Sequence, residues 1–172
     1  VGYHEKYYVT GPVIIIGRKG SIGEVKYSKK SCWPIDTTYY ISNNETDTCL
    51  RYLYYLLKNA NLEKLGSHSA VPGLNRNHIY AKRFFLPSLK EQKSIAKILS
   101  DLDSKIELLQ KQNKTLEKIG QTIFKHWFVD FEFPNDEGKP YKSSGGDMVD
   151  SELGKIPNGW EVNSLSTIAG YL

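Results

Sequence analysis

The sequence predicts a small α/β (α+β) recognition lobe followed by a long coiled-coil-forming α-helix and a flexible linker. Three observations carry this. Residues 1–87 alternate β-branched runs with glycine-rich turns and one helical pattern. Apolar positions then recur at alternating spacings of four and three from Ile95 to Trp127. Residues 134–155 turn to Pro, Gly, Ser and acid.

Within the lobe, "GPVIIIGRKGSIGEV" sets Val13–Ile16 as a buried strand, with Ile22–Tyr27 as its partner across a turn holding Gly17, Gly20 and Gly23. Thr37–Ile41 is a third β-branched and aromatic run. In "DTCLRYLYYLLKNA", Leu50, Leu53, Tyr54 and Leu57 fall at helical spacing, with Asp47 as the expected N-cap. "GSHSAVPGLNRNHI" is loop chemistry, and "KRFFLP" reads as a short strand stopped by Pro87.

"SLKE" at Ser88–Glu91 is a capping box, in which a hydroxyl and a carboxylate satisfy each other's backbone N–H groups. The helix it opens runs for about 40 residues, about 60 Å at 1.5 Å per residue. Its seam places Leu99, Ile106, Asn113 and Gly120 at a, and Leu102, Leu109, Leu116 and Ile123 at d. One apolar seam is not left in water, so the pattern calls for a second helix, in a longer chain or in a second copy. Asn113 favours the register in which it meets a polar partner. After "HWFVDFEF" the polar linker buries too little to order itself. "NGWEVNSLSTIAGYL" then resumes an apolar pattern, with a strand at Trp160–Val162 and a helix start near Ser164. The chain begins without Met and reads as a piece of something longer.

Composition and motif tests exclude several functions. The longest aliphatic run of the lobe, Val13–Ile16, is too short to span a bilayer, and no signal segment opens the chain. Cys32 and Cys49 match no zinc or redox spacing and read as ordinary thiols of a reducing compartment. The phosphate loop of ATPases and GTPases requires G-x-x-x-x-G-K-[ST], whereas Gly17, Gly20 and Gly23 are spaced by three. Glu24–Lys26 resembles the tail of a metal-nuclease motif, but no suitable acid lies upstream. The four histidines, at 4, 68, 78 and 126, show no ligand spacing. No catalytic constellation, metal site or cofactor site emerges.

Charge is segregated along the chain. The net +4 hides 12 Lys and Arg against 6 Asp and Glu in residues 1–88, where all four arginines lie. A basic lobe suits a polyanion, since phosphate neutralisation supplies most sequence-independent affinity for nucleic acid. Two polar loops carry the groups that hold phosphates and read base edges: Arg18, Lys19 and Ser21 in the first, and His68, Ser69, Asn75, Arg76 and Asn77 in the second. Ser, Asn and Gly are equally the residues of ordinary turns. On these residues alone, a DNA-reading surface and a plain hairpin stay open, as does a coiled-coil assembly module without DNA contact.

Longer stretches resemble one family. "GPVIIIGRKGSIGEV", "SAVPGLNRNHI" running into "FFLPSLKEQKSIAKIL", and "FKHWFVDFEFPNDEGKPYKSSGGDMVDSELGKIPNGWEV" are similar, in this order, to DNA-specificity (S) subunits of type I restriction-modification systems. The resemblance implies the end of a target-recognition domain at 1–87, a central spacer helix at 88–133, a linker at 134–155 and the start of a second recognition domain at 156–172. It implies a non-catalytic, cytoplasmic prokaryotic subunit that reads half of a split double-stranded DNA target. Its spacer helices would pair as a ruler and dock methyltransferase (M) subunits, to which a restriction/translocase (R) subunit is added. No cofactor and no membrane enter this reading.

Overall fold

Four consecutive apolar residues with β-branched side chains make β1 (Val13–Gly17) the middle of a three-stranded antiparallel sheet. β2 (Val25–Ser28) pairs on one side, Ile16 facing Val25, and β3 (Thr38–Ser42) on the other, Ile16 facing Tyr39. Side chains alternate between faces, so Ile14 and Ile16 are buried in the core while Ile15 faces the other way and is half-buried. This computed structural model describes residues 5–66 and 73–170. The chain divides into two compact units, Val1–Lys105 and Ile106–Leu172.

β2 begins later than the Ile22 start expected. Residues 20–24 are spent on the turn, where Gly23 N–H donates to the Gly17 carbonyl at 2.9 Å and Gly17 N–H to the Glu24 carbonyl at 2.9 Å. Ile22 packs on the core from this turn. α1 (Leu50–Lys58) lays Leu50, Tyr54 and Leu57 onto the same core, at the spacing read from sequence.

The first residue before α1 is Cys49, not Asp47, and it offers no side-chain cap. A distant residue does the capping. The Cys49 N–H donates to Gln92 Oε1 at 3.0 Å, and Gln92 Nε2 donates to the Pro87 carbonyl at 2.9 Å. A 3₁₀ turn at Leu62–Leu65 buries Leu62, and α2 (Arg76–Tyr80) forms where only loop was expected. "KRFFLP" forms no strand: Phe84 packs on the core while Phe85 is fully exposed.

α3 (Leu89–Phe124) spans 36 residues, about 54 Å at 1.5 Å per residue. Its capping box closes, with Ser88 N–H donating to Glu91 Oε2 at 2.9 Å and Ser88 Oγ–H to the same oxygen at 2.6 Å. A π-helical turn, Lys125–Val129, ends it. Gln92 and Ala96 are buried and Leu99 half-buried, whereas Leu102, Ile106, Leu109, Leu116 and Ile123 are exposed, as are Asn113 and Gly120. The seam therefore lies open along most of its length. Among the described residues no helix is long and apolar enough to cross a membrane.

In the second unit, the expected linker contains β4 (Met148–Ser151) and β5 (Gly154–Pro157), paired as a hairpin. Aromatic contacts supply packing that the polar composition does not announce: Phe133 stacks on Tyr141 at 4.7 Å, and Trp160 meets Phe131 and Phe133, each at 5.6 Å. The strand expected at Trp160–Val162 does not form: these residues follow β5 in irregular backbone, with the Trp160 ring turned to the aromatic cluster rather than paired in a sheet. α4 (Leu165–Ile168) begins at the Ser164 boundary that was expected.

Candidate nucleic-acid interface

The end of β1 places Arg18 at a junction of three chain segments. Its N–H donates to the Thr37 carbonyl at 2.9 Å, as does that of Lys19 at 3.2 Å, while its own carbonyl accepts from Leu74 N–H at 2.9 Å. Tyr39 on β3 locks the same place from the other side, donating its hydroxyl proton to the Leu74 carbonyl at 2.9 Å. Leu74 is buried, so residues 73–77 are anchored beside the first loop.

Two guanidinium groups converge above this anchor. The Arg18 guanidinium carbon lies 5.9 Å from the centroid of the Tyr39 ring and that of Arg76 lies 5.2 Å from it. Each contact lies within cation–π range, and the ring face offsets part of the repulsion between the two like charges. Arg18 also donates from Nη1 to the Asp36 carbonyl at 3.3 Å, which orients its fork. Both arginines are exposed. Each planar fork matches the geometry of phosphate oxygens or a guanine edge, and both lie within 6 Å of one ring.

The other expected residues have distinct fates. Lys19 is exposed next to Arg18, and Ser21 is exposed further round the turn, its carbonyl accepting from Glu24 N–H at 3.2 Å. Asn75 is the N-cap of α2: its Oδ1 accepts from the Asn77 N–H at 2.8 Å. That oxygen is thereby committed to the backbone, which weakens the two-pronged adenine reading expected of a free Asn side chain. Asn77 is exposed on the first turn of α2. His68 and Ser69 lie outside the described residues.

Thus Arg18, Lys19, Asn75 and Arg76 are brought into one neighbourhood, and sequence reading missed the residue that does so. Tyr39 looks like any half-buried strand tyrosine in "TTYYIS", and its partner Leu74 lies 35 residues away. The only legible signal was the pairing of two basic loops. The three turn glycines also separate by function. A Cβ on Gly17 would stand 1.8 Å from the Ser21 carbonyl oxygen and one on Gly23 2.2 Å from Glu63 N, whereas Gly20, at φ +73°, has open space. Gly17 and Gly23 therefore build the turn, and Gly20 shapes its exposed tip.

Elsewhere in the lobe several ionisable groups are engaged locally. Glu24 pairs with Lys26 at 3.1 Å. Glu45 is held below the usual carboxylate range by the Ser42 hydroxyl and backbone N–H. Burial pushes the Cys32 thiol up, away from the reactive thiolate. No group of three or more His, Cys, Asp or Glu able to hold a metal occurs among the described residues.

Comparison with known proteins adds a second line of observation. The family described as "type I restriction modification DNA specificity domain" matches residues 1–118. The type I restriction enzyme MjaIX specificity subunit of Methanocaldococcus jannaschii is 35% identical over 163 residues, which cover 90% of this chain and 35% of that protein. The HindI specificity subunit of Haemophilus influenzae is 49% identical over 88 residues, covering 47% of this chain and 18% of that one. The chain thus spans about a third or less of these relatives. The crystal structure of a type I restriction-modification system S subunit from M. genitalium aligns with a TM-score of 0.58 at 22% identity, over 75% of this chain and 36% of that one. That likeness extends to the fold, a small sheet-containing lobe leading into a long helix.

Proposed function

The chain belongs to the type I restriction modification DNA specificity domain family, and from that premise we propose that its lobe reads half of a bipartite duplex-DNA target while α3 serves as the ruler to the other half. The observation that carries this is the pair Arg18 and Arg76 poised over Tyr39 on an exposed, basic face. Lys19 and Ser21 extend the contact along the first loop. Asn77, with His68 and Ser69, extends it along the second. Arginine forks supply base or phosphate contacts, and lysine supplies sequence-independent attraction.

In this reading the division of labour is a recognition domain at 1–87, a spacer helix at 88–133, a connecting segment at 134–155 whose β4–β5 hairpin runs on to Pro157, and the start of a second recognition domain within 156–172. The open seam of α3 pairs with a second spacer helix, and the helices carry M subunits to which an R subunit is added, in a prokaryotic cytoplasm. The chain's own role is non-catalytic, as its relatives' names as specificity subunits indicate.

The test is binding of duplex DNA by the complete specificity subunit with its methyltransferase partner, after the target is mapped by methylation in cells. Arg18→Ala and Arg76→Ala are expected to weaken binding and, where the fork reads a base, to relax the target at that position. Normal assembly with unchanged binding and unchanged target in both variants would refute the interface. Complete absence of DNA binding by the assembled wild type would leave the coiled-coil assembly module as the better reading.

A further inference from the structure

Two sets of side-chain hydrogen bonds tie α3 to the lobe within the first unit, on either side of buried Ala96. The first is Gln92, which holds the start of α1 and the Pro87 carbonyl. The second lies 11 residues on, about 16 Å along the helix axis, at Asp103. One carboxylate oxygen of Asp103, Oδ2, accepts from Arg51 Nη2 at 3.1 Å and from the Tyr55 hydroxyl at 2.6 Å.

This pair differs from an ordinary surface ion pair. Lys97 and Asp101, on α3 itself, retain 75% and 64% of their side-chain exposure, where such pairs contribute little. Arg51 and Asp103 retain 20% and 34%. The Arg51 guanidinium carbon lies 4.4 Å from the Tyr27 ring centroid and 5.2 Å from that of Tyr55, and its Nε is buried without a hydrogen-bond partner among the described residues. Arg51 is therefore caged before Asp103 meets it. Between the two ties an open groove, lined by Tyr52, Leu56, Ile95 and Leu99 among others, separates α1 from α3. A single tie leaves a stiff helix free to pivot; two ties define its direction.

We propose that Asp103 is a positioning residue: clamped by Arg51 and Tyr55, it sets the angle at which α3 leaves the lobe and so the DNA spacing that the ruler accepts. The inference rests on the proposed function for its consequence, but not for the clamp itself.

The experiment uses the full specificity subunit with its methyltransferase partner, as wild type, Asp103→Ala, Asp103→Asn and Tyr55→Phe. Methylation rates are compared on duplexes with the native half-site spacing and with spacings one base pair longer or shorter. In parallel, distances are measured between spin labels carried by unnatural amino acids at positions 29 and 111. Asp103→Ala is expected to lower the native-to-altered rate ratio about tenfold, a size usual for coupled sites, and to broaden the distance distribution. Asp103→Asn, which can accept the same hydrogen bonds, falls between. A wild-type ratio and a narrow distribution in Asp103→Ala would overturn the proposal. So would an equal loss at every spacing, the mark of a merely structural residue. Should Asp103→Ala fail to fold, Tyr55→Phe, which removes one hydrogen bond, is judged by the same two outcomes. Should the wild type methylate no DNA, the proposed function falls, and the distance distributions alone decide the clamp.

Discussion

Tyr39 donates its hydroxyl proton to the Leu74 carbonyl at 2.9 Å, so a strand residue holds in place the loop that leads into α2. Tyr39→Phe keeps the ring beneath Arg18 and Arg76 but frees that loop. A hydrogen bond of this kind contributes about 1 kcal/mol, and the expected loss in DNA affinity is about fivefold by the usual conversion. Tyr39→Ala removes ring and hydroxyl together and is expected to cost more. Fluorescence anisotropy with the mapped target measures both, and hydrogen exchange at residues 74–77 is expected to quicken in both variants.

That relationship marks the limit of what the sequence discloses. β1, β3 and α1 were legible because each has its own periodicity, and the capping box at Ser88 was legible because both partners lie within one turn. The cap on α1 was not: Asp47 is a good local candidate, and the buried amide of Gln92, 43 residues from Cys49, displaced it. Short α2 was hidden among turn residues, since Asn75 serves equally as a turn former and an N-cap. The linker looked unstructured because its order comes from a few aromatic rings rather than from a periodic pattern. For the interface, the basic loops were legible as chemistry. Their convergence on Tyr39 depends on tertiary contacts that no local signal carries.

The turn glycines make a graded set. Gly23→Ala would drive a Cβ into the Glu63 backbone at a φ of +73°, and Gly17→Ala would drive one into the Ser21 carbonyl. Neither neighbour is a flexible side chain. Each substitution is expected to destabilise the lobe by about 3 kcal/mol or more. Gly20→Ala meets nothing and carries only the cost of a positive φ, about 1 kcal/mol. Urea unfolding of the three variants checks the order, and equal losses in all three would contradict the assignment of Gly20 to an open tip.

Alkaline stability reports on the Asp103 clamp. Burial, and then the hydrogen bond to Asp103, push the Tyr55 hydroxyl from its ordinary 10.0 up to about 12. The folded chain therefore keeps this proton where the unfolded chain releases it. Stability from Tyr55 is fully present below pH 10 and is lost as pH rises from there through about 12. Tyr55→Phe has no such proton to lose. Its unfolding midpoint is expected to fall less steeply than that of the wild type over this range, and parallel curves would contradict the burial and bonding of Tyr55.

The open seam of α3 separates folding from assembly. Leu109 and Leu116 are 45% and 63% exposed, so replacing either by Lys removes little buried surface from the single chain. Thermal unfolding of the lobe is expected to shift by no more than about 0.5 kcal/mol, the usual range for surface positions. A paired seam has the opposite sensitivity, because a lysine at d must bring its charge between two helices or force them apart. Leu109→Lys with Leu116→Lys is therefore expected to abolish helix pairing in the full specificity subunit while leaving the lobe folded. Crosslinking between the paired helices, read beside the lobe's unfolding curve, distinguishes the two effects. Intact pairing in the double variant would place the contact on another face of α3, whereas loss of lobe stability would show that the seam already serves the fold of the single chain.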